Sequence, residues 1–123
     1  MGVEWTTGRR NSFITSVIRR GFTRWPPKFE VLSKAKQGKK INESTGRLAE
    51  HYQCNVCKGS FAGKDVEVDH INPIVPVSGF VSWDSFIDNL FCELSNLQVI
   101  CKTCHAKKSK LENEERKRNK GKV

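Results

Sequence analysis

Apolar residues recur along this chain with two periods, and the switches between them outline its elements. Phe13, Ile14, Val17, Ile18 and Phe22 fall on one face of a helix starting near Arg9. Asn11 or Ser12 would cap its start, and Gly21 weakens its end. Residues 1–8 have no clear period and read as a loose end. In Trp25-Pro26-Pro27-Lys28, Pro26 pushes Trp25 out of helical backbone space, and Pro27 suits the first turn of a second helix. Phe29, Leu32 and Ala35 give that helix its apolar face. Residues 37–47 have turn composition and read as a loop between an arm and a core. Val66, Val68 and Ile71 then suggest a short strand ending near His70. An irregular connection follows, marked by Pro73 and Pro76. Trp83, Phe86, Ile87, Leu90 and Phe91 restore the helical period, with Ser82 as cap and Asp84 in the first turn. Leu97, Val99 and Ile100 suggest a second strand. A last helix begins near Thr103, passes Lys107, Lys108 and Leu111, and dissolves into a charged tail at 113–123, read as a frayed helix or a disordered segment.

Size and composition add a constraint. A chain of 123 residues with 37% hydrophobic content has room for one small core plus an arm. Such cores are usually stapled by a metal or by disulfides. No apolar run is long enough to span a membrane, and no secretory leader is apparent, so a cytoplasmic protein without a membrane partner is expected. The net charge of +9 is uneven: residues 1–50 hold 11 of the 22 Lys and Arg but 4 of the 13 Asp and Glu. A basic arm on a nearly balanced remainder points to a polyanion, nucleic acid first. A soluble basic surface without a specific partner is the bland alternative.

Cys54-Asn55-Val56-Cys57 and Cys101-Lys102-Thr103-Cys104 repeat one spacing. Tight turns of this kind aim both sulfurs to one side, with Gly59 following where a positive φ is often needed. In a reducing compartment four such thiolates favour a closed, structural Zn²⁺ site. A disulfide framework and an iron–sulfur cluster are the alternatives. Cys92, on an apolar helix face, reads as a free thiol.

The candidate chemistry lies between the knuckles. Asp69 and His70 are adjacent at a strand end, where neighbours point to opposite sides. Asn96 precedes the second strand, and His105 directly follows a cysteine ligand. Read singly, an Asp-His pair is more often a surface turn, and His105 could replace one cysteine in the zinc site. Lys108, about one helical turn after His105, would either bring charge to a phosphate or be an ordinary solvated lysine.

Together, Val68-Asp69-His70-Ile71-Asn72-Pro73 and Asn96-Leu97-Gln98-Val99-Ile100-Cys101-Lys102-Thr103-Cys104-His105-Ala106-Lys107-Lys108 resemble the HNH nuclease family over about residues 52–112. The named positions of that motif match His70, Asn96 and His105. More loosely, the arm and the long insert at about 74–92 resemble small bacteriophage HNH endonucleases. The resemblance implies an α+β fold: a ββα-metal core at 48–112 stapled by the four-cysteine zinc, with a basic helical arm at 1–47 and a charged tail at 113–123. It implies Asp69 and His105 as ligands of a catalytic Mg²⁺ or Mn²⁺, and His70 as the base that deprotonates water. Asn96 would use its amide to orient the His70 ring. Carboxylate and imidazole chemistry suits these roles, since a histidine keeps a neutral, basic fraction at working pH.

The resemblance implies metal-dependent hydrolysis of DNA leaving a 5′-phosphate, with double-stranded DNA as the expected substrate. The rival is a zinc-ribbon nucleic-acid-binding module without catalysis. Arg19, Arg20, Arg24 and Lys28 are the arm's candidate phosphate contacts. One active site per chain makes a nick the simplest event, whereas a concerted double cut would need a homodimer. The sequence identifies no base-reading element and no target. If the protein is phage-encoded, its compartment would be the host cytoplasm.

Overall fold

The computed structural model describes residues 5–120, with helices, a small three-stranded sheet and a separate two-stranded ribbon. Helix α1 (Thr7–Arg20) starts earlier than its apolar stripe suggests, because Thr6 caps it by accepting from the Arg9 N–H at 3.1 Å. Asn11 and Ser12 thus lie inside the helix. Of the expected reading of 1–8 as a loose end, residues 1–4 lie outside the described residues, and Thr7 and Gly8 are helical. A 3-10 turn, Gly21–Arg24, leads to Trp25, which is extended, with φ −69° and ψ 119°. Both prolines then occupy the first turn of α2 (Pro26–Ala35), where their missing N–H groups cost nothing.

The segment expected as a loop is mostly strand. β1 (Lys36–Asn42) pairs antiparallel with β2 (Arg47–Gln53), and β2 pairs with β3 (Ser60–Ala62). β1 is exposed along nearly its whole length, so no polar–apolar alternation marks it. Its stability comes from backbone pairing with β2, helped by a turn in which Gly46 takes φ +71° and Asn42 Oδ1 accepts from Ser44.

β4 (Val66–His70) and β5 (Leu97–Cys101) form the second ribbon, with Asp69 opposite Gln98 and His70 opposite Leu97. All five residues of β5 are buried, which matches its unbroken run of mostly apolar residues. Between the two strands, α3 (Trp83–Leu90) is capped by Ser82, whose hydroxyl accepts from the Ser85 N–H at 3.1 Å. Phe86 and Leu90 are its buried residues, and it ends two residues before Cys92.

Of the two readings of the tail, α4 (Lys102–Lys120) takes the helical one as far as Lys120. Its second half stays helical because it clasps the insert: Arg116 donates to the Val75 carbonyl at 2.6 Å and Asn119 to the Val77 carbonyl at 2.8 Å. Of the tail expected at 113–123, residues 121–123 lie outside the described residues.

The arm docks on the end of α3. Trp25 donates its indole N–H to the Cys92 carbonyl at 2.7 Å, and its ring meets Phe91 edge-on at 5.4 Å. The α1 stripe is only partly used: Ile14, Ile18 and Phe22 are half-buried, whereas Phe13 and Val17 face solvent. No described helix is long and apolar enough to cross a membrane.

Candidate active site and metal centres

The sulfurs of Cys54, Cys57, Cys101 and Cys104 all lie within 4.8 Å of one another. Tetrahedral zinc with Zn–S bonds of about 2.3 Å needs sulfurs about 3.8 Å apart, so the cluster fits such an ion after small rotations. Cys57 and Cys101 already stand 4.0 Å apart. Backbone N–H groups of Val56 and Cys57 point at the Cys54 sulfur, and that of Cys104 at the Cys101 sulfur. Burial raises the Cys54 thiol, but the backbone donors outweigh it and hold it down at about 6. Cys104 shows the opposite: its hydrogen bond to Cys101, with burial, pushes it up to about 12. Four sulfurs this close cannot all ionise without a cation among them.

The knuckle departs from expectation at one residue. The positive φ falls on Lys58, at 62°, and not on Gly59. A Cβ at Gly59 would lie 2.9 Å from the Phe61 ring and 3.4 Å from the Cys57 sulfur, so a side chain there would have to displace that ring. Cys92 stands outside the cluster and is half-buried.

A second constellation surrounds a cavity of about 230 Å³, lined by Asp69, His70, His105 and Lys108, with Arg19 and Arg116 on its walls. Antiparallel pairing with β5 fixes Asp69 and His70, and the first turn of α4 carries His105. Asp69 Oδ1 lies 3.8 Å from His105 Nε2. Its other oxygen, Oδ2, accepts from Gln98 Nε2 at 2.9 Å and faces Lys108 Nζ at 3.3 Å. Behind His105, Glu67 Oε2 sits 3.2 Å from Nδ1. A carboxylate there favours a proton on Nδ1, which turns the Nε2 lone pair toward Asp69 Oδ1. A carboxylate oxygen and an imidazole nitrogen facing one another form a donor pair suited to a divalent ion.

His70 is buried and held from two sides. Its Nε2 lies 2.9 Å from the Leu90 carbonyl, and Phe22 packs on its ring at a centroid distance of 4.7 Å. A carbonyl can only accept, so the proton resides on Nε2 and Nδ1 carries the lone pair.

Asn96 does not make the contact expected of it. Its side chain accepts from the Asn72 N–H at 2.9 Å and donates to the Asn72 carbonyl at 3.4 Å, while its own carbonyl accepts from the Ile71 N–H. It ties down the chain leaving β4 and does not touch the His70 ring. The Asn96 amide is taken up by the Asn72 backbone, and the Leu90 carbonyl holds His70 Nε2 in its place. Lys108 is no solvated helix lysine. Its side chain is 23% exposed and spans Asp69, the His70 carbonyl at 3.0 Å and Glu112 at 3.1 Å.

Of the arm residues, Arg19 reaches the cavity, with its guanidinium 5.8 Å above the Phe86 ring. Arg20 and Arg24 are exposed on the same arm, and Lys28 lines a separate cavity with Phe22 and Glu67. The sequence does not single out Glu67, Gln98, Phe22, Leu90 or Arg116. Glu67 alone carries a usable signal, standing two residues before Asp69 on a strand and so on its face.

Comparison with known proteins gives two findings. A family model described as HNH endonuclease matches residues 54–111. A protein of Lactococcus phage SK1, described as a probable HNH endonuclease, is 37% identical over 76 residues, which span 61% of this chain and 68% of that protein. No solved structure gives a significant match.

Proposed function

The chain belongs to the HNH endonuclease family, and from that premise we propose that it hydrolyses phosphodiester bonds of double-stranded DNA at the cavity between β4 and α4. The observation that carries this reading is the opposition of Asp69 Oδ1 and His105 Nε2 across 3.8 Å, in the cavity that His70 also lines. Asp69 and His105 would hold one Mg²⁺ or Mn²⁺ ion, and the four cysteines a structural Zn²⁺. When bound, the catalytic ion supplies the charge that polarises the scissile phosphate and steadies the leaving 3′ oxygen.

The chain's own residues perform the remaining work. His70 Nδ1 takes a proton from the attacking water, and the Leu90 carbonyl keeps the ring in the tautomer that allows it. Phe22 packs against that ring and restrains its tilt. Lys108 holds Asp69 Oδ2 and the His70 backbone together, so the ligand and the base move as a unit. Asn96 acts farther out, by fixing the turn after His70. Arg19 and Arg116 supply positive walls for phosphates on either side of the cut. Arg20, Arg24 and Lys28 extend that surface along the arm. A single site per chain favours nicking, and the proposed compartment is the cytoplasm.

The test is plasmid cleavage with Mg²⁺ or Mn²⁺, wild type against His70→Ala. The variant should bind DNA about as well and lose cleavage by at least roughly a hundredfold, the scale of a general base. Equal cleavage would remove His70 as the base. Binding by the wild type without cleavage under any metal would leave only a zinc-ribbon binding module.

A further inference from the structure

The two metal centres are joined by a chain of side-chain amides. Lys58 Nζ donates to Asn55 Oδ1 at 3.2 Å. Asn55 Nδ2 donates to Gln98 Oε1 at 2.9 Å. Gln98 Nε2 donates to Asp69 Oδ2 at 2.9 Å. Asn55 lies between Cys54 and Cys57, so the first amide belongs to the zinc knuckle. The last acceptor is the carboxylate whose other oxygen faces His105.

The direction of the chain is fixed at its buried Asp69 end and matched by Lys58 at the exposed one. An ammonium can only donate, and an ionised carboxylate can only accept. Between them each amide has one satisfying orientation: oxygen toward Lys58, nitrogen toward Asp69. Gln98 is 7% exposed and Asp69 9%, so water offers little substitute at that end, whereas Asn55 and Lys58 are exposed. The Asn55 N–H also donates to the Val99 carbonyl at 2.8 Å, pinning the knuckle to β5 beside Gln98.

We infer that Asn55 and Gln98 are positioning residues for the ion held by Asp69 and His105, transmitting the state of the cysteine cluster to Asp69. The inference rests on the proposed role of Asp69 and His105. Gln98 acts directly: with Lys108 it occupies Oδ2 and so turns Oδ1 toward His105. Asn55 acts through Gln98, by presenting a donor that keeps the Gln98 oxygen away from Asp69. The cysteine cluster acts through Asn55, because an ordered knuckle sets where that amide stands. Outer-shell partners of this kind typically change metal affinity ten- to a hundredfold.

The test is Mn²⁺ titration of the full-length, zinc-loaded protein by calorimetry, with zinc content measured for each variant. Gln98→Met, which keeps the length and removes the donor, should weaken Mn²⁺ binding roughly tenfold or more with zinc content unchanged. Asn55→Ala should weaken it by a smaller factor, and should have no further effect in the Gln98→Met background. Asn55→Asp separates the relay from simple packing and charge. It nearly preserves shape and adds a negative charge that would attract Mn²⁺, yet it presents only acceptors and would turn the Gln98 oxygen onto Asp69. It should therefore bind Mn²⁺ more weakly than the wild type. Tighter binding by Asn55→Asp, or an Asn55→Ala loss that persists in full with Gln98→Met, would overturn the relay. If Asp69→Asn leaves Mn²⁺ binding unchanged, the site reading fails and the relay with it. If Asp69→Asn abolishes binding while Asn55 and Gln98 variants match the wild type, the relay alone fails.

Discussion

Glu67 Oε2 stands 3.2 Å from His105 Nδ1, on the side of the imidazole away from Asp69. The contact follows from strand geometry: residues 67 and 69 share one face of β4, and both reach the first turn of α4. Glu67 thereby selects the tautomer whose Nε2 can accept an ion. Glu67→Ala should lower divalent-ion affinity roughly tenfold while leaving zinc in the cysteine cluster. Glu67→Gln, whose carbonyl still accepts from Nδ1, should retain most of that affinity. Equal Mn²⁺ titration curves for the Glu67→Ala variant and the wild type would leave Glu67 as a surface ion pair.

The cysteine cluster predicts the pH dependence of its own loading. Cys54, held at about 6, is largely thiolate at neutral pH, whereas Cys104, pushed up to about 12, keeps its proton. Entry of Zn²⁺ must displace that proton, so apparent affinity should rise with pH across the neutral range. Below pH 6 the protonation of Cys54 adds to the loss. Calorimetry in buffers of different ionisation enthalpy should detect proton release on zinc binding. Removal of the zinc should loosen the core, because Cys54, Cys101 and Ile100 form one buried cluster. An unchanged circular dichroism spectrum after verified metal removal would contradict this.

The chemistry of this protein is more legible in its sequence than its scaffold is. Asp69, His70 and His105 can be picked out because the roles proposed for them need particular side chains at fixed spacing, and the structure brings all three to one cavity. The four cysteines are legible for the same reason. β1 is not, because its residues are exposed and a backbone ladder leaves no imprint on side-chain pattern. The Leu90 carbonyl is invisible for a related reason: any residue supplies a carbonyl, and only α3's placement brings this one to His70. The end of α4 misleads because its charged residues suit either a helix or a solvated tail. Two carbonyls of the insert, at Val75 and Val77, decide between them.

Phe22 links the arm to His70. Its ring packs on His70 with a centroid distance of 4.7 Å, at the turn that joins α1 to α2. Phe22→Ala should free the imidazole to tilt, and misplacement on the scale of an ångström can cost about a hundredfold in rate. Phe22→Leu should recover part of the activity by refilling the space. The check is single-turnover plasmid cleavage beside Mn²⁺ titration, since Asp69 and His105 are untouched by the change. A loss of rate with unchanged ion affinity is expected. A variant as fast as the wild type would show that the Leu90 carbonyl suffices to hold the ring.

The arm's arginines should divide into two classes. All three are exposed, but Arg19 alone of them lines the cavity of Asp69, His70 and His105. Each phosphate contact releases counterions and contributes about 0.9 to the slope of log affinity against log salt on duplex DNA. Arg20→Ala and Arg24→Ala should therefore weaken DNA binding and flatten that slope, while cleavage at saturating DNA changes little. Arg19→Ala should flatten the slope by a similar amount and also slow cleavage at saturation, because Arg19 lines the cavity that holds Asp69, His70 and His105. The measurement is binding across a salt series, with single-turnover cleavage under saturating DNA for each variant. A common effect of all three on binding alone would remove Arg19 from the active site, and an unchanged slope would remove the arm from the DNA interface.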